Sequence, residues 1–596
     1  MIVGVDTGGT FTDAVDGDGR VVKVLSTRND PGRAVAAALA RFGGNRPDLL
    51  AHGTTVATNA LLERRGATVA LVTTAGFADV IEIARQDRPS LYDPCADRPE
   101  PLVPRRLRYE VGGRLGPDGT ELSPVDLATL PTMAPDVEAV ALCLLHADLS
   151  AVHEEAVAVE LAGRGYDVSR SSVVSPEFRE YERTLTTVIN AYLRPACRQY
   201  LASLGALADE VLVLTSAGGL VPVADGAELP ASLLLSGPAG GVLAAAAVAS
   251  ANGFTDAVSF DMGGTSTDVC LIRAGSPEPA AGRSVGGFAV RVPSLDIHTI
   301  GAGGGSIARI DAGSALVVGP QSAGAEPGPA CYGRGGARAT VTDANLVAGR
   351  IPRGVAFADL GVLDVRAARA AMDRAGVTAA GVLEVVDAAM VQALRAVSVE
   401  RGVDPGTLAL VAFGGAGPLH ACALADALGM AAVIVPARAG VLSAVGLLGA
   451  PRRRELVRSW PTPASIEGLG GARRALGEQC RRMVGAGATV SYALDVRYLG
   501  QSHELTVASV DDFHDEHRRR NGYARPDAAV EVVAIRAAAA RRSPLAATDL
   551  PAAERAGATG PATIVEPDCT IHVAPGWTAV PGVAGALVLR RDEARR

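Results

Sequence analysis

The 596 residues carry 56 Lys+Arg against 64 Asp+Glu, a net charge of −8 at pH 7, and are 48% hydrophobic and 20% charged. A chain of this length exceeds one hydrophobic core, so several domains of ordinary globular composition are expected, and the acidic balance argues against a nucleic-acid partner. Lys23 is the single lysine, which excludes a Walker-type G-K-[ST] loop and leaves no other residue for Schiff-base chemistry. The eight cysteines (Cys95, Cys143, Cys197, Cys270, Cys331, Cys422, Cys480, Cys569) form no CxxC pair, which disfavours a disulfide framework or a cysteine zinc site. No basic-then-apolar leader opens the chain, and the most apolar stretch, 231–251, is broken by Pro238, Gly240 and Gly241. No membrane span and a cytoplasmic location are expected.

The first apolar run (Ile2, Val3, Val5) leads into Asp6-Thr7-Gly8-Gly9-Thr10-Phe11-Thr12-Asp13 and then Ala14 and Val15. The same word returns as Asp261-Met262-Gly263-Gly264-Thr265-Ser266-Thr267-Asp268, identical at six of eight positions and at a constant offset (261 − 6 = 255). Apolar residues flank both copies, the pattern of strand, tight turn, strand. Paired glycines allow positive φ and close approach to a ligand, and their N–H groups form an anion-binding concavity. Thr10, Thr12, Thr265 and Thr267 add hydroxyl donors. Asp6 and Asp261 repel phosphate directly but suit a Mg²⁺ ion or its waters. Thr7, Gly8, Gly9, Thr10, Thr12, Gly263, Gly264, Thr265 and Thr267 are therefore candidate phosphate-binding residues, and Asp6 and Asp261 candidate metal residues. Asp13 and Asp268 either share that role or brace their own hairpins.

After the first copy, Asp30-Pro31 opens a helix through 34–42. The loop His52-Gly53-Thr54-Thr55 enters a helix at 57–65, with the threonines as caps or anion ligands. Buried strands are expected at 69–73 and 139–145, on either side of a Pro-rich irregular stretch at 84–103, and a helix at 151–162. Residues 1–174 read as one α/β unit. Residues 176–183 alternate in charge ahead of a helix at 184–201, either as a solvated face or as a cluster with a role at the site.

A second α/β unit spans 175–455. It holds a strand at 211–215, a glycine loop at 236–241 opening a small-residue helix, the second copy of the word, and a third glycine loop, Gly301-Ala302-Gly303-Gly304-Gly305-Ser306. Then come a Gly/Pro-dense structured loop at 319–336, Val341-Thr342-Asp343-Ala344-Asn345, and a helical insertion around 367–371 and 381–401. The strand 408–413 runs into Gly414-Gly415-Ala416-Gly417-Pro418 and a helix, an element suited to adenosine. Strands at 490–497, 504–507, 530–537 and 564–573 suggest a separate C-terminal β-rich α+β domain over 456–596.

Two similar α/β halves, each opening on the same hairpin, argue for a duplicated fold with ATP between them, which resembles the actin/hexokinase/Hsp70-type (ribonuclease H-like) ATPases. The motifs resemble more specifically the hydantoinase A / 5-oxoprolinase family. They are the two copies of the word, His52 to Ala60, Arg179-Glu180-Tyr181-Glu182-Arg183, the 301–306 loop, Ser322 to Pro329, Thr340 to Asn345, Phe413 to His420, Arg497 to Gln501 and Gly560 to Pro567. The resemblance implies ATP-dependent opening of a small cyclic amide such as 5-oxoproline, a hydantoin or a lactam. Its first step would be phosphorylation of a carbonyl oxygen, with Mg²⁺ (or Mn²⁺), and a hydantoinase B-type subunit would complete the hydrolysis. Relatives of the acetone carboxylase beta subunit imply the alternative, a carboxylase- or kinase-type subunit acting on a ketone or other small carbonyl compound. A non-catalytic ATPase is a third reading. In this frame Asp6 and Asp261 are catalytic as well as metal-positioning, Gly303 and Gly304 touch phosphate or substrate, and Gly414, Gly415 and Gly417 contact adenosine. Asp343 and His52 are candidate general bases because they lie in polar loops expected to stay outside the core.

Overall fold

The computed structural model describes residues 1–592 except 10, 28–29, 45, 94, 281, 358–359 and 553. Both halves of the chain build one strand order. In the first, β1 (Ile2–Thr7), β2 (Phe11–Asp16) and β3 (Val21–Leu25) form an antiparallel meander, and β4 (Leu49–Thr54) and β5 (Glu210–Leu214) add in parallel, giving β3-β2-β1-β4-β5. Asp16 turns the chain between β2 and β3, its carboxylate accepting the N–H groups of Asp18 and Arg20 at 3.2 and 2.8 Å. In the second half, β6 (Ala257–Met262), β7 (Thr267–Arg273), β8 (Ser276–Pro277), β9 (Ala409–Phe413) and β10 (Ala432–Val435) give β8-β7-β6-β9-β10 with the same directions. The late parallel strands, ALVAF and AVIV, are buried at every residue, as expected of strands covered on both faces. This duplicated α/β architecture is the actin/hexokinase-like ATPase fold.

The first 170 residues are divided between two sheets. Residues between β4 and β5 build a five-stranded sheet of their own, in which Val69–Thr74 pairs in parallel with Arg108–Leu115 and Ala139–Cys143. Its second face has a separate core around Val72, Val140, Leu142 and Leu161, so it closes without extending the first sheet.

Toward the C-terminus, the strands prolong both large sheets. Arg452–Ser459 joins the first sheet beside Leu220–Pro222 and is followed outward by Val530–Arg541, Thr489–Tyr498 and Leu505–Val507. Leu587–Arg591 joins the second beside β10. The helix Leu469–Val484 and these outer strands also have their own apolar core, including Leu476, Cys480, Leu494 and Ile535. The predicted strand at 564–573 is a hairpin, Ala562–Val565 with Thr570–Val573.

α1 (Pro31–Ala40) covers the meander, and α2 (Glu180–Leu204) runs through the first lobe. The charged run before α2 is no solvated face. Glu177 is 1% exposed and accepts from Arg291 and Arg536 at 2.8 and 2.9 Å. Arg183, equally buried, pairs with Asp148 at 2.8 Å and donates to the Leu144 carbonyl. α3 (Gly237–Ala251), α4 (Gly417–Leu428) and α5 (Leu442–Gly449) complete the lobes. α3 and α5 cross so closely that a methyl on Gly446 would stand 1.8 Å from the Gly240 carbonyl oxygen. Among the described residues no single helix is long and apolar enough to cross a membrane.

Candidate active site

Each copy of the repeated word folds into the same hairpin. Asp6 lies opposite Asp13 and Thr7 opposite Thr12; Asp261 lies opposite Asp268 and Met262 opposite Thr267. The turns close alike, the Gly8 N–H donating to the Phe11 carbonyl at 3.0 Å and the Gly263 N–H to the Ser266 carbonyl at 3.1 Å. Gly9 and Gly264 are exposed at the tips with nothing within 4 Å of where a side chain would stand, and Gly415 is equally open. These positions leave room for a ligand to approach the backbone.

The two hairpins are coupled through their carboxyl groups. The carboxyl of Asp261 is pushed well above the usual range by burial, then by the charges of Asp268, Asp6 and Asp13, so it stands within electrostatic reach of the other lobe. Burial pushes Asp6 up to about 7, with Asp13 adding to the rise and Lys23 opposing it. Burial raises Asp268 to about 6, against a hydrogen bond from Thr299. Asp13 is raised by burial and opposed by Lys23, whose Nζ lies 2.8 Å away. Asp6 Oδ1 is buried without a hydrogen-bond partner.

A glycine on the adjacent strand makes room for each leading aspartate. A methyl on Gly53 of β4 would stand 2.6 Å from Asp6 Oδ1, and one on Gly414, just past β9, 2.3 Å from Asp261 Oδ1. Gly237 brings the start of α3, which has no side-chain cap, beside Asp6. Carboxylates held in low dielectric and short of partners are suited to a divalent cation, and open glycine N–H groups beside a helix N-terminus to phosphate oxygens.

Several predicted site residues have other work. His52 is fully buried, its Nδ1 3.0 Å from the Val5 carbonyl and its Nε2 2.7 Å from the Tyr200 hydroxyl, and burial lowers it to about 4. Asp343 is also fully buried; it closes a capping box with Thr340 and accepts the N–H groups of Ala330 and Cys331. Neither is placed as a general base, because both are enclosed with their polar atoms engaged. Thr12 shares a hydrogen bond with Ser26 at 3.0 Å, and Thr267 donates to the Ala302 carbonyl at 2.6 Å; both braces are fully buried. The Gly303 N–H donates to Ser306 Oγ and the Gly304 N–H to the Gly263 carbonyl, so the third glycine loop supports the second hairpin from behind. Gly417 is buried against β6. Thr7 is 2% exposed, whereas Thr265 is exposed at its tip. Thr10 lies outside the described residues. Lys23 and Gly53 are absent from the sequence-based set of site residues and are revealed by strand register, whereas Gly237 lies in the 236–241 glycine loop and is brought beside Asp6 by the packing of its helix.

A model described as the hydantoinase/oxoprolinase N-terminal region matches residues 2–163, and one described as hydantoinase/oxoprolinase matches residues 183–455. An uncharacterized protein of Methanocaldococcus jannaschii is 36% identical over 90% of this chain and 86% of its own length. The caprolactamase subunit alpha of Pseudomonas jessenii is 34% identical over 89% of this chain and 85% of its own. The crystal structure of the ATP-dependent caprolactamase of Pseudomonas jessenii has a TM-score of 0.86 at 31% identity, covering 99% of this chain and 100% of that one.

Proposed function

We propose, for a chain that belongs to the hydantoinase/oxoprolinase family, that it is the ATP-consuming subunit of an enzyme that opens a small cyclic amide. The observation that supports this reading is the pair of matched hairpins, with Asp261 within electrostatic reach of Asp6 and Asp6 Oδ1 lacking a partner. Asp6 and Asp261 would hold Mg²⁺ (or Mn²⁺), directly or through water. Gly8, Gly9, Gly263 and Gly264, with Thr10 and Thr265, would take the phosphates, and Gly414 and Gly415 the adenosine side. Bound there, ATP supplies a phosphoryl group that turns the amide carbonyl oxygen into a leaving group, so water meets a carbon no longer protected by amide resonance. The chain's own part is positioning: fixed N–H dipoles and carboxylates arranged before the reaction need no reorganisation during it.

A relative named as one subunit of a caprolactamase supports a hetero-oligomer, and we infer a hydantoinase B-type partner for the hydrolytic half, in the cytoplasm. The test is ATP consumption by the co-purified subunits against 5-oxoproline, hydantoins, lactams and ketones. A cyclic amide is expected to stimulate turnover, and Asp261→Ala to lower it by about 10²-fold or more. Unchanged turnover in Asp261→Ala would remove the metal and phosphate assignment. ATP turnover indifferent to substrate would sink the amidohydrolase reading, and ketone-dependent turnover with a carboxylated product would replace it.

A further inference from the structure

The single lysine of the chain stands in the candidate site. Lys23 lies on β3 opposite Asp13 of β2. Its Nζ is 2.8 Å from Asp13 Oδ1 and 5.0 Å from the centre of the Phe11 ring. It also opposes the burial-driven rise in Asp6 and Asp261, so one ammonium group serves carboxylates of both hairpins.

Among the described residues the second hairpin has no counterpart. The strand Ile297–Ile300 pairs on β7 and sets Thr299 opposite Asp268, so a neutral hydroxyl bonds that carboxylate. The hairpins also differ at the residue next to the tip, where Phe11 stands in the first copy and Ser266 in the second. The aromatic face and the charged partner therefore occur together on one hairpin only, and both hold the same ammonium group. Lys23 keeps 32% of its side chain accessible. An ammonium has three donors, and Asp13 takes one direction.

A polyphosphate approaching Asp6, Asp13, Asp261 and Asp268 meets four carboxylates. A divalent cation offsets part of that repulsion, and Lys23 is the one fixed ammonium at hand. We propose that Lys23 is the phosphate-binding cation of this site, its ammonium steadied by Asp13 and Phe11 and donating to an oxygen of the terminal phosphate of bound ATP. This rests on the ATP reading above.

Having one lysine makes the test unambiguous. An ATP derivative acylated on its terminal phosphate is a mixed anhydride. A neighbouring lysine amine attacks the acyl carbon, a C–N amide bond forms, the acyl–oxygen bond breaks, ATP departs with the electron pair, and the amine proton passes to solvent. Peptide mass spectrometry of the full chain, treated with this reagent and Mg²⁺, is expected to find the acyl group on Lys23, with excess ATP suppressing it by about tenfold or more, as competition for one site requires. The Met1 amine, paired with Asp48, is an internal control for non-directed acylation. Lys23→Met is expected to weaken ATP binding by about tenfold and ADP binding by less, and Lys23→Arg to restore most of the affinity, since a charge-assisted bond to a terminal phosphate is worth about 1.4 kcal/mol or more. ATP binding measured by calorimetry with Lys23 unlabelled, or wild-type affinity in a folded Lys23→Met, would overturn the proposal and leave the ATP reading standing. Failure of the wild-type chain to bind ATP would overturn both.

Discussion

Asp6 and His52 occupy neighbouring strands one residue apart, with Val5 paired to His52 and Asp6 to Gly53, yet burial moves them in opposite directions. His52 falls from 6.5 to about 4, so the stability of its neutral form is present above 6.5 and is lost as pH falls toward 4. Asp6 rises from 3.8 to about 7, so the stability of its protonated form is complete below 3.8 and is lost as pH rises through 7. The two slopes overlap in the wild type, and a substitution separates them. In metal-free buffer, the melting temperature of Asp6→Asn minus that of the wild type should grow as pH rises from about 4 to about 7 and then level off. A difference that stays flat across that range would mean that Asp6 is not buried as described.

Gly53 and Gly414 do the same work on two elements, but at different backbone cost. The tight contact at Gly53 is with the far end of the Asp6 side chain, and Leu447 Cδ1 lies at an ordinary 3.5 Å. Gly414 combines a φ of +79° with Asp261 Oδ1 and the Met262 carbonyl, both within 2.5 Å of a built methyl. Gly53→Ala should therefore keep its stability within about 1 kcal/mol while displacing the Asp6 carboxylate, and Gly414→Ala should lose about 1–3 kcal/mol through strain at a positive φ. Both should lower ATP turnover, measured beside thermal unfolding. Wild-type turnover in Gly53→Ala would show that Asp6 is not held by the space at β4. The glycine pair inside each hairpin is legible in the sequence as a repeated word, and Gly414 as part of a glycine segment; that Gly53 and Gly414 make room for a carboxylate is not, because it depends on which strand lies alongside.

For the whole molecule, the decisive contact is the crossing of α3 and α5. α3 follows the first lobe yet contributes Ala244, Ala245 and Ala249 to the core of the second. α5 follows the second lobe, and its Ala444 carbonyl would sit 2.4 Å from a methyl on Gly4 of β1. Small residues let the backbones touch, and a shared cluster including Ala51, Leu214, Ala239, Cys270 and Leu447 lies between the lobes. Gly446→Ala, placing a methyl against the Gly240 carbonyl, and Gly240→Ala, meeting the Ser443 carbonyl at 2.6 Å, should each destabilise by about 1–3 kcal/mol through overpacking. Their effects should fall short of additive, since both press on one crossing. Additive losses in a double-mutant cycle of thermal unfolding would mean that the helices yield independently.

By itself the sequence determined what is local. The D-x-G-G-T-x-T-D word, its two copies and the apolar runs around them specified two hairpins and a duplicated α/β fold, because strand periodicity and glycine turns are written in neighbouring residues. The motif series along the chain likewise marked its family. Only the tertiary structure decided which polar residues stay open to a ligand. His52, Thr12, Thr267 and Asp343 look like site residues in a linear reading, but long-range pairing turns them inward, where Tyr200, Ser26, the Ala302 carbonyl and the 330–331 backbone engage them. The same pairing carries the C-terminal strands onto both large sheets, brings Asp261 within electrostatic reach of Asp6, and sets Lys23 against Asp13. Burial and charge depend on what packs from the far side, which no window of neighbouring residues contains.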